Sequence, residues 1–302
     1  MKYFSNNQNT LSIFLFHGVI EKKNKGIRNY NLKHIEKKSF LKIIKFLKLK
    51  GECLSIDQIY EIIKNKKKFP ENSFAITFDD GFENNYKVAV PMLKKYNLKS
   101  TFYFSSELVD KNVMSWIDKV EYAFQKTNKK KLLLPWEKKL SNINDNKNKI
   151  LVLDKIRKVL KNKNNNKLIE QFVKNLFRNL NVKEISSLNN NLDKKISWSN
   201  VKKLNKSDLF TIGGHSHKHV SLTSIPFDQA KKQIDISLKL FKKKAGIDLK
   251  HYSYPEGQRR DFNNNIIKYL KKKGIKICPS AIHGYNNNRS NLFTLKRISI
   301  NV

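Results

Sequence analysis

The chain has 302 residues with 62 basic and 25 acidic side chains, a formal net charge of +37, and is long enough to bury one barrel domain or two smaller cores. Such a charge ordinarily points to nucleic acid or an anionic surface. Lys and Asn recur throughout, however, as in Lys161-Asn162-Lys163-Asn164-Asn165-Asn166-Lys167, so no specific nucleic-acid partner is expected and anionic surface contact stays open. Two cysteines, Cys53 and Cys278, exclude a disulfide framework and lack zinc-type pairing.

Residues 11–20 form the most apolar stretch near the start, but they include Ser12 and His17 and are too few to span a bilayer. No small-residue cleavage site precedes Glu21-Lys22-Lys23. We read 11–16 as a first buried strand ending at His17-Gly18, and place the protein in the cytoplasm or peripheral to the membrane, without a membrane span. Ser39 is the expected cap of an amphipathic helix carrying Phe40, Ile43, Ile44 and Leu47, stopped by Gly51. Ser55 is the expected cap of a second, running to residue 63. The polar stretch 64–72 then leads into Phe74-Ala75-Ile76-Thr77-Phe78, a buried strand that ends in Asp79-Asp80-Gly81.

Residues 84–96 have helical spacing, with a kink or break expected at Pro91. Thr101-Phe102-Tyr103-Phe104 is the next strand, and strand, helix, strand in this order predicts a parallel sheet. From about 107 to 196 the pattern changes to three helices joined by Asn- and Lys-rich segments, with no convincing strand. This reads as a helical insertion that either covers the substrate groove or packs on the barrel wall. Strand and helix then alternate again: a strand at 209–212, a helix over 227–244, a strand at 251–254, a helix over 266–273 stopped by Gly274, and last strands at 275–278 and 292–300. The whole, residues 1–302, reads as one α/β barrel domain with its chemistry at strand ends.

Beyond the strand ending in Asp79-Asp80 lies Gly213-Gly214-His215-Ser216-His217-Lys218-His219. Two His four apart would share one face of a helical turn. Two His and one Asp make a three-ligand metal site with a position left for water. Zinc is the first choice, although this donor set suits several divalent ions.

Thr77-Phe78-Asp79-Asp80-Gly81 together with His215-Ser216-x-x-His219 resembles the polysaccharide deacetylases related to the NodB chitooligosaccharide deacetylase, a carbohydrate esterase family 4-like group. The resemblance implies a distorted (β/α)7-type barrel, often incompletely closed. It also implies a metal-dependent hydrolase that removes acetyl groups, N-acetyl foremost, from a carbohydrate such as a cell-envelope or exported polysaccharide or its precursor. Asp80, His215 and His219 would be the metal ligands and Asp79 the general base. Ser216 would help fix the turn, and His217 would point elsewhere. Phe16-His17 resembles the aromatic-His pair that ends the family's first strand. Tyr254-Pro255-Glu256-Gly257 resembles the segment lining the acetate pocket, with Glu256 at the position whose backbone N–H meets the oxyanion.

Two positions depart from the family pattern. Ser253 stands where many members carry an Arg that pairs with the base, and Arg297 is the candidate replacement, against a solvated surface Arg. Ala281-Ile282-His283-Gly284 approximates the late Leu-x-His motif, which makes His283 the candidate general acid, against a loop residue. The acidic, Trp-containing fourth motif is not visible. An O-deacetylase or other amidase on the same scaffold is an alternative. So is a non-catalytic basic protein that binds glycan or nucleic acid, against which the intact Asp79, Asp80, His215 and His219 weigh.

Overall fold

The computed structural model describes residues 3–5, 7–24, 26–163 and 165–301. β1 (Thr10–Phe16) is followed by the short parallel pair β2 (Gly18–Ile20) and β3 (His34–Glu36). Two helices then lead to β4: α1 (Lys37–Lys50) and α2 (Ile56–Lys64). β1 and β4 (Ser73–Phe78) are almost wholly buried, as both faces of a covered parallel sheet must be. Alternation along β1 sends Phe14 and Phe16 into one core, beneath α1, and Leu11 and Ile13 into another, against Ile56 and Ile59 of α2.

A π-turn (Asn85–Ala89) runs into α3 (Val90–Lys95). Pro91 therefore does not break this helix as expected. The Val90 N–H bonds the Asn85 carbonyl five residues back, and the proline, which has no N–H to place, falls in the first turn of α3. β5 (Ser100–Phe104) and α4 (Ser106–Lys111) follow. Ser55 caps α2 with a full capping box, whereas Ser39 lies inside α1, whose N-cap is Glu36 with no side-chain bond.

The insertion comprises α5 (Trp116–Lys126), β6 (Lys131–Leu132), β7 (Ser141–Asn142), α6 (Asn146–Lys163) and α7 (Asn166–Asn179). Its helices enclose a separate apolar core that includes Phe124, Ile156, Leu160, Phe172 and Phe177. β6 and β7 form a small antiparallel hairpin where the sequence showed no strand; two-residue strands are too short to display an alternating pattern. Neither strand joins the central sheet.

α8 (Trp198–Asn205), capped by Ser197, returns the chain to β8 (Phe210–Gly214). α9 (Phe227–Ala245), α10 (Asn264–Lys272), β9 (Asn286–Asn287) and β10 (Ile298–Ser299) complete the order. The central sheet runs β10-β1-β4-β5-β8, all parallel, with β9 antiparallel on β1. Single bridges, Gly214 to Tyr252 and His251 to Ile277, extend it to two further parallel segments. The strands expected at 251–254 and 275–278 are thus reduced to isolated bridges, and the one expected at 292–300 to β10. Among the described residues no bridge joins the 277 segment to β10; backbone bonds from Cys278 to Leu292 and Ser280 to Leu295 span that side instead. This is a distorted, parallel α/β barrel-type sheet. No helix among the described residues is long and apolar enough to cross a membrane.

Candidate active site

The carboxyl ends of β1, β4, β5 and β8 converge at one end of the sheet. β4 delivers Asp79, whose N–H bonds the Phe16 carbonyl at 3.0 Å and so extends the β1–β4 ladder by one residue. The backbone then turns through two left-handed residues, Asp80 (φ 75) and Gly81 (φ 88). A Cβ on Gly81 would lie 3.0 Å from the Val109 methyl and 3.1 Å from the Phe104 ring, so both conformation and space call for glycine. The end of the insertion clamps this turn. Ile196 N–H bonds the Gly81 carbonyl at 2.9 Å, and Lys195 pairs with Phe82 across a bridge.

β8 delivers the histidines. A Cβ on Gly214 would meet the Tyr252 ring at 2.4 Å; glycine lets the two chains approach closely enough for the Tyr252 hydroxyl to accept the Ser216 N–H at 2.8 Å. Residues 215–220 are loop, not helix. Left-handed backbone at Ser216 (φ 55) and His219 (φ 56) bends the chain back, so His215 and His219 come together without the helical turn their spacing suggested. Ser216 fixes this loop through its backbone; its buried hydroxyl oxygen has no hydrogen-bond partner. His217 turns away, with Nδ1 2.9 Å from the Ser106 hydroxyl.

Asp80 Oδ1 lies 3.0 Å from His219 Nε2 and 3.6 Å from His215 Nε2. His215 Nδ1 is 2.6 Å from the Ser253 hydroxyl and 3.0 Å from the Ser253 carbonyl oxygen; because the carbonyl can only accept, this pairing favours a proton on Nδ1 and an Nε2 lone pair turned inward. Asp80 Oδ1 is buried without a hydrogen-bond partner, and one donor atom from each of Asp80, His215 and His219 falls within 4.8 Å of the others. A buried, unsatisfied carboxylate oxygen facing two imidazole nitrogens fits a divalent cation, with zinc well suited to the donor set.

Asp79 occupies a different environment. Arg297, fully buried just before β10, grips it with two bonds, Nη1 to Oδ1 at 2.9 Å and Nη2 to Oδ2 at 2.8 Å. The same guanidinium donates from Nε to the Ser280 carbonyl at 2.6 Å and from Nη1 to the Thr77 hydroxyl at 3.3 Å. Burial raises the Asp79 pKa, but Arg297 and then His215 outweigh it and hold the carboxyl below its ordinary value.

The cavity over these groups has a volume of about 200 Å³. Leu15, Tyr254 and Ala281 supply apolar wall, and His17, Lys33, Arg157, Lys161 and Glu256 supply polar wall. The Tyr254 hydroxyl donates to the Phe293 carbonyl at 3.0 Å and its ring stacks on Phe262. Pro255 is buried behind it. Glu256 sits at the rim in left-handed backbone (φ 61), its carboxylate 2.5 Å from Lys161 of α6. The insertion therefore contributes Arg157 and Lys161 to the lining of the site.

His283, the expected general acid, is exposed and is not among the residues that line the cavity. Backbone bonds at 281 and 282, to Gly257 and Arg297, hold that segment at the edge of the sheet and leave residue 283 beyond it. Besides His215 and His219, the cavity is lined by His17, at the end of β1. Asn85, in the π-turn, donates to the His17 carbonyl at 2.8 Å and holds it there. Burial lowers the His17 pKa, against the pull of Asp80 and Asp79.

A metal ion bound by these residues would compete with protons. Burial depresses the His215 pKa to about 4, so this imidazole is neutral and free to act as a ligand. Burial also acts to lower His219, but Asp80 overrides it and raises the pKa above 6.5. Zinc affinity measured from about pH 8 down to pH 5.5 is therefore expected to weaken on the alkaline side of 6.5, by roughly tenfold per unit once His219 is protonated. Affinity that holds constant to pH 6 would show that His219 is not the ligand that protons contest.

A model of the polysaccharide deacetylase family matches residues 66–278. The putative polysaccharide deacetylase YxkH of Bacillus subtilis (strain 168) is 35% identical over 79 residues, a match taking in 26% of this chain and 28% of that protein. Among solved structures, the Streptococcus pyogenes deacetylase PplD in complex with acetate superposes with a TM-score of 0.64 at 15% identity, covering 97% of this chain and 93% of that one. IcaB from Ammonifex degensii superposes with a TM-score of 0.60 at 14% identity, covering 97% and 92%.

Proposed function

The chain belongs to the polysaccharide deacetylase family, and we propose that it hydrolyses acetyl groups, N-acetyl foremost, from a carbohydrate in a reaction that depends on a divalent metal. The observation that carries this reading is the division of labour at the end of β4: Asp80 faces His215 and His219, while its neighbour Asp79 is held apart by Arg297. Asp80, His215 and His219 would hold the ion. When bound, it would polarise the acetyl carbonyl and bring the pKa of a water molecule towards neutrality, to about 7.

Asp79 would accept the proton of the attacking water. Its pairing with Arg297 keeps it ionised and fixes its orientation, at the cost of basicity, so it is suited only to a water already made acidic. The backbone N–H of Glu256 is the proposed donor to the oxyanion, with Leu15, Tyr254 and Ala281 around the acetyl methyl. His17 is the proposed donor of a proton to the departing amine, in place of His283, and the proton that Asp79 accepts from the water would restore it. Acetate and a free amine leave.

The decisive experiment measures acetate release from N-acetylated and O-acetylated oligosaccharides before chelation, after it, and after metal is restored. Release from an N-acetylated sugar is expected to fall about a hundredfold or more when the metal is stripped and to return with zinc or another divalent ion. Undiminished release by protein verified as metal-free would overturn the metal-dependent reading. Release from O-acetylated sugars alone would leave the chemistry and reassign the bond.

A further inference from the structure

The described residues expose seven large apolar side chains, and three of them, Leu133 (49%), Leu140 (60%) and Leu151 (58%), gather at one edge of the insertion. In the β6–β7 hairpin Leu132 pairs with Ser141, and Leu133 and Leu140 are the next residues towards the tip on either side. Leu132 and Leu134 are buried, which puts Leu133 on the outer face, beyond exposed Lys131. Leu151 stands on α6 one turn before Lys155, and Lys155 reaches Glu137 in the hairpin tip at 2.5 Å. Beside the tip an apolar groove of about 280 Å³ opens between Leu134, Trp136 and Phe172.

The polar residues along the hairpin are mostly basic, with Asp145 and Asp154 the exposed acidic groups nearby. Lys129, Lys130, Lys131, Lys138 and Lys139 are exposed along the hairpin, and its acidic member, Glu137, is already paired with Lys155. A folded partner would call for a broad complementary apolar face, whereas these leucines protrude from a tip and a helix edge. A soluble polyanion would engage the lysines and leave the leucines in water. A bilayer satisfies both, with leucines passing the headgroups and ammonium groups staying at the phosphate layer.

We propose that the hairpin and the adjoining face of α6 dock this protein on a bilayer containing anionic phospholipid. The same helix carries Arg157 and Lys161 into the catalytic cavity, and the ten residues from Leu151 to Lys161 span roughly 15 Å. Docking would therefore hold the cavity close to the surface, within reach of a glycan attached to or emerging from it. The proposal rests on the insertion alone and stands apart from the catalytic reading.

The test is co-sedimentation of the full chain with phosphatidylcholine vesicles, with and without roughly a third phosphatidylglycerol, at physiological salt. The unaltered protein is expected to sediment with the anionic vesicles, and the triple variant Leu133→Glu, Leu140→Glu, Leu151→Glu to bind about tenfold more weakly or worse. None of the three lines the catalytic cavity, so the variant's melting temperature and its acetate release from a soluble substrate should match the parent. Failure of the unaltered protein to sediment would overturn the proposal, as would equal binding by the triple variant, which would reduce the effect to general positive charge. Equal binding to pure phosphatidylcholine would remove the anionic requirement. Retention of both proteins on single-stranded DNA, with neither on vesicles, would assign the lysines to nucleic acid instead.

Discussion

Asp79→Asn is expected to keep its metal and to lose about two to four orders of magnitude in acetate release, the usual scale for removing a general base. The amide keeps the carboxylate's size and leaves Asp80, His215 and His219 untouched. Asp80→Asn should fail differently. It removes the anionic donor, whose Oδ1 faces both imidazoles, so metal occupancy falls and excess metal restores part of the activity. Asp79→Asn also points an amide nitrogen at Arg297, so turnover must be expressed per folded molecule, with thermal melts on both variants. Equal metal loss in the two would sink the division of roles, and near-normal turnover by Asp79→Asn would sink the mechanism.

Arg297→Met should cost about 3–5 kcal/mol of stability, because it leaves Asp79 as a buried carboxylate without a partner. Its pH dependence is specific. In the parent the Asp79 pKa is depressed, so the pair's contribution is complete above the unfolded carboxyl value, about 3.9, and is lost as pH falls through the lower folded value. In the variant, burial acts unopposed by Arg297 and moves the pKa upward, so the deficit is largest at neutral pH and shrinks in acid. The double variant Arg297→Met, Asp79→Asn removes the stranded charge and should recover much of the loss. Arg297→Lys should recover only part, since an ammonium cannot match both carboxylate oxygens. Urea melts across the pH range check all of this, and a deficit independent of pH would show that Arg297 acts through packing alone.

The parts of this protein that could be read from its sequence are those whose physics is local. An apolar run of four to six residues buries itself wherever it falls, so the Phe74–Phe78 stretch was a strand on its composition. Ser55 and Ser197 cap helices because the bonds they make reach only three residues along the chain. Asp79-Asp80-Gly81 had to be a turn at a strand end, and alternating strands and helices had to lay the sheet parallel. The donor set of Asp80, His215 and His219 was visible as a pattern of residue types, although the reason for their convergence was not: helical spacing suggested a turn of helix, and left-handed backbone at Ser216 and His219 supplied it.

Only the tertiary structure could decide between residues of the same chemistry at distant positions. Arg297 is 218 residues from Asp79, and its selection depends on β10 closing against β1. By motif His283 was the candidate acid, and His17 only part of the aromatic-His pair that ends the first strand. The sheet carries His17 into the cavity and leaves His283 in solvent, because strand order, not sequence spacing, sets which loop ends share a rim. Arg157 and Lys161 are two of 62 basic residues, and no local signal separates a lysine that pairs with Glu256 over an active site from one that faces water. Burial makes that distinction, and burial is set by every element that packs around the residue rather than by its neighbours along the chain.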